Sequence, residues 1–159
     1  MDKKIKPKKK QSPLNWALWM LGRREYSEYE LRTKMLQKKQ WDEDEINETL
    51  EKLKENDFQD DERTAKSMVR TGVSQGKGPK YITQKMRMRG ISSEHISNEM
   101  EKEDVDWYEV AKDLIQRKYG EGPYEKNEQI KIAGLLIRRG FNYDIAWKLA
   151  RNEGENFKS

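Results

Sequence analysis

The amino-acid sequence predicts an all-α protein made of three tandem three-helix repeats, which we expect to form an elongated, curved molecule. Apolar residues recur at helical spacing along the chain, and three segments share one order of features. The composition, with 33% hydrophobic and 39% charged residues, is poor material for one large core. Several small cores, one for each repeat, are therefore expected.

Helical spacing is clearest in two segments. The apolar positions of the first, at i, i+3, i+4 and i+7, are Ile46, Thr49, Leu50 and Leu53; those of the second, which add i+8, are Trp107, Val110, Ala111, Leu114 and Ile115. Ser27 with Glu30 forms a capping-box pattern at a helix start, Asp42 with Glu45 resembles one, and Pro79 suits a first helical turn. The expected helix ends are Gly72, Gly90, Gly120 and Gly140.

The repeat is visible in three segments, Met35 to Ile46, Met86 to Ile96 and Leu136 to Ile145. In each, a helix with basic residues near its end stops, a bulky apolar residue follows, and a polar cap opens another helix. The bulky residues are Trp41, Ile91 and Phe141, spaced 50 residues apart. The predicted organisation is a disordered basic tail (1–13), repeats at 14–60, 61–105 and 106–153, and a C-terminal tail (154–159).

Positive charge is unevenly distributed along the chain, although the net charge is only +4. The tail at 1–13 carries +5, and the three repeats carry −4, +2 and +1 in order, the last counted to Ser159. Within the second repeat, the stretch from Arg63 to Gly90 has eight basic residues and no carboxylate. Such a segment predicts an outward cationic surface for an anionic partner. The candidate binding residues are Lys77, Lys80, Lys85, Arg87 and Arg89, extended by Arg138 and Arg139 of the third repeat.

Catalysis and cofactor binding find no support in the sequence. The chain has no Cys and one His, His95, which disfavours metal and nucleophilic sites. Gly72 to Lys77 has the wrong spacing for a phosphate-binding loop, and Asp60 and Asp61 are better placed to cap a helix than to hold a cation. The longest apolar run, Trp16 to Leu21, is too short to span a bilayer. We therefore expect a monomeric, cytoplasmic, non-enzymatic protein without cofactor, metal or membrane partner.

Four segments, in chain order, resemble the RecX family, bacterial regulators of the RecA recombinase. They are RREYSEYELRTKML (23–36), FQDDERTAKSMVR (58–70), GKGPKYITQKMRMRGI (76–91) and LLIRRGFNYDIAWKL (135–149). The resemblance extends from Ala17 to about Glu153. It departs from the family pattern at Lys39 to Trp41, where the first repeat carries an extra residue and lacks the usual glycine.

The resemblance implies a helical-repeat protein that lies in the groove of the RecA filament on DNA. Family members restrain filament growth and depress ATP hydrolysis, strand exchange and co-protease action. The expected partners are therefore the RecA filament and single- or double-stranded DNA. The alternative is a helical-repeat protein that acts on nucleic acid directly, through its central basic helix.

Overall fold

The computed structural model describes residues 11–153, which form nine α-helices and no strand. The predicted tails at 1–13 and 154–159 lie largely outside this range. Ser12 caps the first helix, which begins at Pro13. The helices are α1 Pro13–Leu21, α2 Glu28–Lys38, α3 Glu43–Glu55, α4 Asp61–Ser74, α5 Pro79–Met88, α6 Ser93–Glu103, α7 Trp107–Tyr119, α8 Lys126–Arg138 and α9 Tyr143–Ala150. The prediction of an all-α fold is confirmed.

The described residues bury their apolar side chains in three separate clusters, one for each group of three helices. Trp41, Ile91 and Phe141, the bulky residues predicted to close each repeat, are 7%, 4% and 1% exposed. Trp41 packs against Trp16 with ring centroids 5.8 Å apart. Three small cores thus replace one large core, as the low hydrophobic content requires.

The predicted helix starts are confirmed. Ser27 with Glu30 and Asp42 with Glu45 form complete capping boxes, and Pro79 is the first residue of α5. These contacts satisfy backbone N–H groups that a helix leaves without partners in its first turn.

The two aspartates before and at the start of α4 cap different helices. Asp60 Oδ1 accepts from the backbone N–H of Glu62 at 2.9 Å, as a cap of α4 should. Asp61 Oδ1 instead accepts from the backbone N–H of Glu28 at 2.9 Å, at the start of α2. Capping is confirmed for both, but the expected helix is wrong for Asp61.

Helix ends follow the sequence signals except at Gly72. Helix α4 continues past Gly72 to Ser74, so this predicted end is wrong. A Cβ at Gly72 would lie 2.5 Å from Cγ1 of Ile82, so this glycine allows α4 and α5 to pack closely. In the first repeat, Lys39 at φ 56° takes the left-handed conformation that a glycine usually provides after a helix.

The chain divides into two compact units, one ending at Thr64 and the other beginning at Ala65. The first unit contains α1, α2 and α3. The second contains α5 to α9, and within it Trp107 packs against both the second and the third core. The second unit carries all seven candidate binding residues.

Candidate partner-binding surface

Helix α5 presents only basic, neutral polar or apolar side chains to solvent. Ile82 and Met86 are buried in the second core, which turns the opposite face of the helix outward. The exposed residues of α5 are Lys80, Gln84, Lys85, Arg87 and Met88. No carboxylate occurs anywhere in this helix. The outward orientation predicted for Lys80, Gln84 and Arg87 is confirmed.

Backbone hydrogen bonds join the start of α5 to the end of α8, which lies about 60 residues later in the sequence. The backbone N–H of Gly78 donates to the carbonyl of Arg139 at 2.8 Å, and that of Lys80 donates to the carbonyl of Gly140 at 3.1 Å. Amides at a helix start are a common anion site. Here two of them, those of Gly78 and Lys80, already have backbone partners and are not available to an anion.

Two glycines allow this close backbone contact. A Cβ on Gly78 would lie 2.5 Å from the backbone oxygen of Gly140, and a Cβ on Gly140 would lie 2.5 Å from the backbone nitrogen of Tyr81. Gly140 also has φ +94°, which side-chain-bearing residues rarely adopt. Both positions therefore require glycine if the second and third repeats are to meet in this way.

The contact brings candidate residues of two repeats together. Arg139 is half-buried, and its Nη1 donates to the carbonyl of Gln75 at 3.2 Å, in the loop that leads to Lys77. Lys77 and Lys80 follow in that loop and the first turn of α5. Arg139 thus lies beside the loop of the second repeat that carries Lys77, and its part in binding stays a prediction.

Tyr81 organises two of the lysines. Nζ of Lys77 lies 4.6 Å from the Tyr81 ring centroid, and Nζ of Lys85 lies 6.0 Å from it. Both distances fall within the range of cation–π attraction. Sequence analysis missed Tyr81. The four-residue spacing of Tyr81 and Lys85 on α5 is the signal that identifies the tyrosine.

Arg89 and Arg138 are placed differently from the other candidates. Arg89 is half-buried and caps the far end of α5, away from Lys77 and Lys80. The guanidinium of Arg138 lies back along its own helix, with Nη1 3.2 Å from where a Cβ on Gly134 would be. We define the basic surface as Lys77, Lys80, Lys85, Arg87 and Arg139.

The lysines and Arg87 of the basic surface lack carboxylate partners among the described residues. Ion pairs within 4 Å occur elsewhere, for example between Arg70 and Glu103 at 3.7 Å, but none involves Lys77, Lys80, Lys85 or Arg87. Their charge is consequently available to an external anion.

Residues 11–153 contain neither a membrane-spanning helix nor a metal site. No helix in this range is long and apolar enough to cross a membrane. No three His, Asp or Glu side chains in the same range gather in a way that could hold a metal ion.

Three sequence models of one protein family match the chain in tandem. They are described as the first, second and third three-helix domains of RecX, and they match residues 14–53, 60–99 and 104–149. Each match covers one of the groups of three helices described above.

Individual relatives and a solved structure with which the chain aligns over most of its length are also RecX proteins. The chain is 34% identical to "Regulatory protein RecX" of Haemophilus ducreyi over 83% of this chain and 86% of the relative. It is 40% identical to the protein of that name from Xanthomonas campestris pv. campestris over 84% and 83%. A crystal structure of RecX from Lactobacillus salivarius superposes with a TM-score of 0.73 at 28% identity, covering 90% of this chain and 95% of that one.

Proposed function

Because the chain belongs to the RecX family of regulatory proteins, we propose that it binds the RecA filament on DNA and restrains its recombinase, ATPase and co-protease activities. It acts as a binding protein without catalysis, in the cytoplasm and as a monomer. The observation that carries the proposal is the basic surface, whose lysines and Arg87 have no described carboxylate partner.

Charge supports this choice of partner. A filament that contains DNA presents a dense row of phosphates, and unpaired cations gain most from such a surface. Lys80, Lys85 and Arg87 are exposed along α5, while Arg139 comes from the third repeat. Long-range attraction would guide the protein to the filament, and this attraction weakens as salt rises.

The restraining effect follows from the use of two repeats. The basic surface combines side chains from α5 and from the end of α8. We propose that one molecule contacts two adjacent components of a filament at once, either two protomers or a protomer and the DNA. Bridging favours the filament conformation in which both contacts fit, and this slows subunit exchange and ATP hydrolysis.

The test is an ATPase and strand-exchange assay of RecA on single-stranded DNA with the protein added. We expect inhibition by the wild type at stoichiometric amounts. The variant Lys77→Ala/Lys80→Ala/Lys85→Ala/Arg87→Ala should inhibit at least about ten-fold less effectively, since several charge contacts of roughly 0.5 to 1 kcal/mol are lost together. Lack of inhibition by the wild type would refute the proposal.

A matched control replaces four exposed lysines elsewhere by alanine: Lys38, Lys39, Lys52 and Lys118. This variant has the same net charge as the first one. It should inhibit as the wild type does, because the position of the charge matters and not its sum. Equal loss in both variants would argue against a defined site.

The second candidate function is direct binding to nucleic acid. The observation that favours it is Tyr81 between Lys77 and Lys85, an aromatic ring among cations, as is common where proteins bind single strands. Fluorescence anisotropy with labelled single- and double-stranded DNA, without RecA, separates the two functions. If DNA is the main partner, binding must be tight in the absence of RecA and must fall steeply with salt.

A further inference from the structure

Helix α8 has an outward face that the basic surface does not include. Its exposed residues are Lys126, Asn127, Ile130, Lys131, Ile137 and Arg138. The opposite face carries Ile132, Ala133 and Leu136, which are buried in the third core. The outward face therefore combines apolar and cationic side chains and has no carboxylate among its exposed residues.

Two large apolar residues lie in line on this face. Ile130 is 63% exposed and Ile137 is 44% exposed. They are seven residues apart, which places them on the same side of the helix, two turns from each other. A single exposed isoleucine is ordinary, but an aligned pair is the pattern by which one helix recognises another.

Gly134 lies between them, and the fold itself does not require a glycine there. Glycine inside a helix costs about 1 kcal/mol relative to alanine. A Cβ at Gly134 would meet only the guanidinium of Arg138, at 3.2 Å to Nη1 and 4.0 Å to Cζ. The end of an arginine side chain moves easily. The glycine therefore leaves the backbone of α8 open to close approach from outside.

Cations border the apolar pair. Lys126, Lys131 and Arg138 are exposed, and none of them forms an ion pair with a described carboxylate. The one carboxylate of α8 is Glu128, which is half-buried on another side of the helix. No exposed carboxylate within α8 would therefore repel an acidic partner on this face.

We propose that the outward face of α8 binds an acidic amphipathic helix of a partner protein. The apolar side of that helix packs on Ile130 and Ile137 and crosses α8 at Gly134, where the absence of a side chain permits a short interaxial distance. Its carboxylates meet Lys126, Lys131 and Arg138. This inference does not depend on the proposed function.

Two other occupants fit less well. A second copy of the chain would bring its own α8 face, so that three cations would face three cations across a symmetric contact. Nucleic acid would satisfy the cations, but two aliphatic side chains provide no flat ring on which bases stack. The combination of isoleucines, a glycine and cations fits an acidic helix in all its parts.

The probe is a synthetic 18-residue helical peptide with leucines on one face and glutamates on the others. Its control has the same composition, with the order changed so that the leucines share no face. Fluorescence anisotropy with the full chain should give a dissociation constant at least about ten-fold lower for the first peptide. Equal affinity for both peptides would mean that charge alone is recognised, and this would overturn the proposal.

Variants locate the binding site. Gly134→Leu should weaken binding of the amphipathic peptide at least ten-fold, while the free energy of unfolding stays the same or rises because leucine favours a helix. Ile130→Ser/Ile137→Ser and Lys131→Glu/Arg138→Glu should also weaken it. Met88→Ser, which removes another exposed apolar side chain on α5, is the matched control and should change nothing.

Two results would reject this docking surface. One is unchanged peptide affinity in Gly134→Leu together with an unchanged fold. The other is concentration-dependent self-association of the wild type, measured by analytical ultracentrifugation, that the same substitution abolishes, because the occupant would then be a second copy. Both assays omit RecA and DNA, so their outcome is separate from that of the filament assay.

Discussion

Cations of the first unit and cations of helix α5 serve different purposes. In the first unit, Arg24 pairs with Glu30 at 3.4 Å and Arg32 with Glu28 at 3.6 Å. Lys54 contacts both Glu51 and Glu28, and these contacts raise its pKa, the hydrogen bond to Glu51 most of all. The cations of α5 have no such partners among the described residues.

The difference shows that pairing with a carboxylate decides the role of a cation. Arg63 and Arg70 lie in the carboxylate-free stretch, but each pairs with a carboxylate from elsewhere in the fold. Lys80, Lys85 and Arg87 have no such partner among the described residues and keep their charge for a binding partner. Repulsion within such a stretch is tolerated because α5 is held by other means, namely its buried face and its backbone bonds to the end of α8. Four measurements test this contrast.

The largest effect on stability is expected at the backbone contact between the start of α5 and the end of α8, which holds α5 in place without ion pairs. Gly78→Ala should lower the free energy of unfolding by about 3 kcal/mol, because the added methyl group would overlap the backbone at Gly140. Gly78 has a φ of −87°, which alanine can also adopt, so the expected effect is steric. Gly22→Ala, whose Cβ would lie 3.4 Å from the Leu18 oxygen, should change stability by less than about 0.5 kcal/mol. Urea unfolding that finds the two variants equally stable would contradict this account.

A paired cation should matter to stability more than an unpaired one. Arg63 Nε donates to Glu25 at 2.7 Å, and its Nη groups donate to the carbonyls of Asp57 and Phe58. Arg63→Ala should therefore destabilise the protein by about 1 to 2 kcal/mol. Arg87→Ala should stay within about 0.5 kcal/mol of wild type. If urea unfolding finds Arg87→Ala as costly as Arg63→Ala, Arg87 has a structural role.

For binding, in contrast to stability, we expect charge reversal to have its larger effect at the unpaired cations of α5. Lys80→Glu/Arg87→Glu should weaken binding to RecA filaments by at least about ten-fold, or 1.4 kcal/mol. Lys38→Glu/Lys52→Glu, with the same change in net charge, should leave binding nearly unchanged. Sedimentation with preformed filaments at several salt concentrations measures both. Parallel losses would indicate attraction to overall charge without a site.

The smallest effect is expected at Tyr81. Tyr81→Leu removes the ring beside Lys77 and Lys85 and should weaken filament binding by about two- to three-fold, because exposed cation–π contacts contribute about 0.5 to 1 kcal/mol. Tyr29→Leu, at a 56% exposed tyrosine of α2, is the control and should have no effect. Identical binding curves for both variants would remove Tyr81 from the basic surface.

Most of the fold was predictable because its signals are local. Capping residues such as Ser27 and Asp42 act within one helical turn, and Trp41, Ile91 and Phe141 mark each core at a fixed spacing. Gly72 was the exception. The sequence does not distinguish a glycine that ends a helix from one that makes room for a neighbouring side chain. Gly72 is of the second kind, because Ile82 of α5 packs where its Cβ would be.

The sequence by itself determined that the outward face of α5 would be cationic, because helical periodicity and the lack of nearby carboxylates are properties of neighbouring residues. Tertiary structure decided that Arg63 and Arg70 of the same stretch are paired. Only the tertiary structure decided that Arg139 contacts Gln75, in the loop before Lys77, and that Arg138 turns back toward Gly134. The bonds that bring α5 to α8 are made by backbone atoms about 60 residues apart. Backbone groups are the same in every residue, so such a contact is encoded only by the glycines that leave room for it.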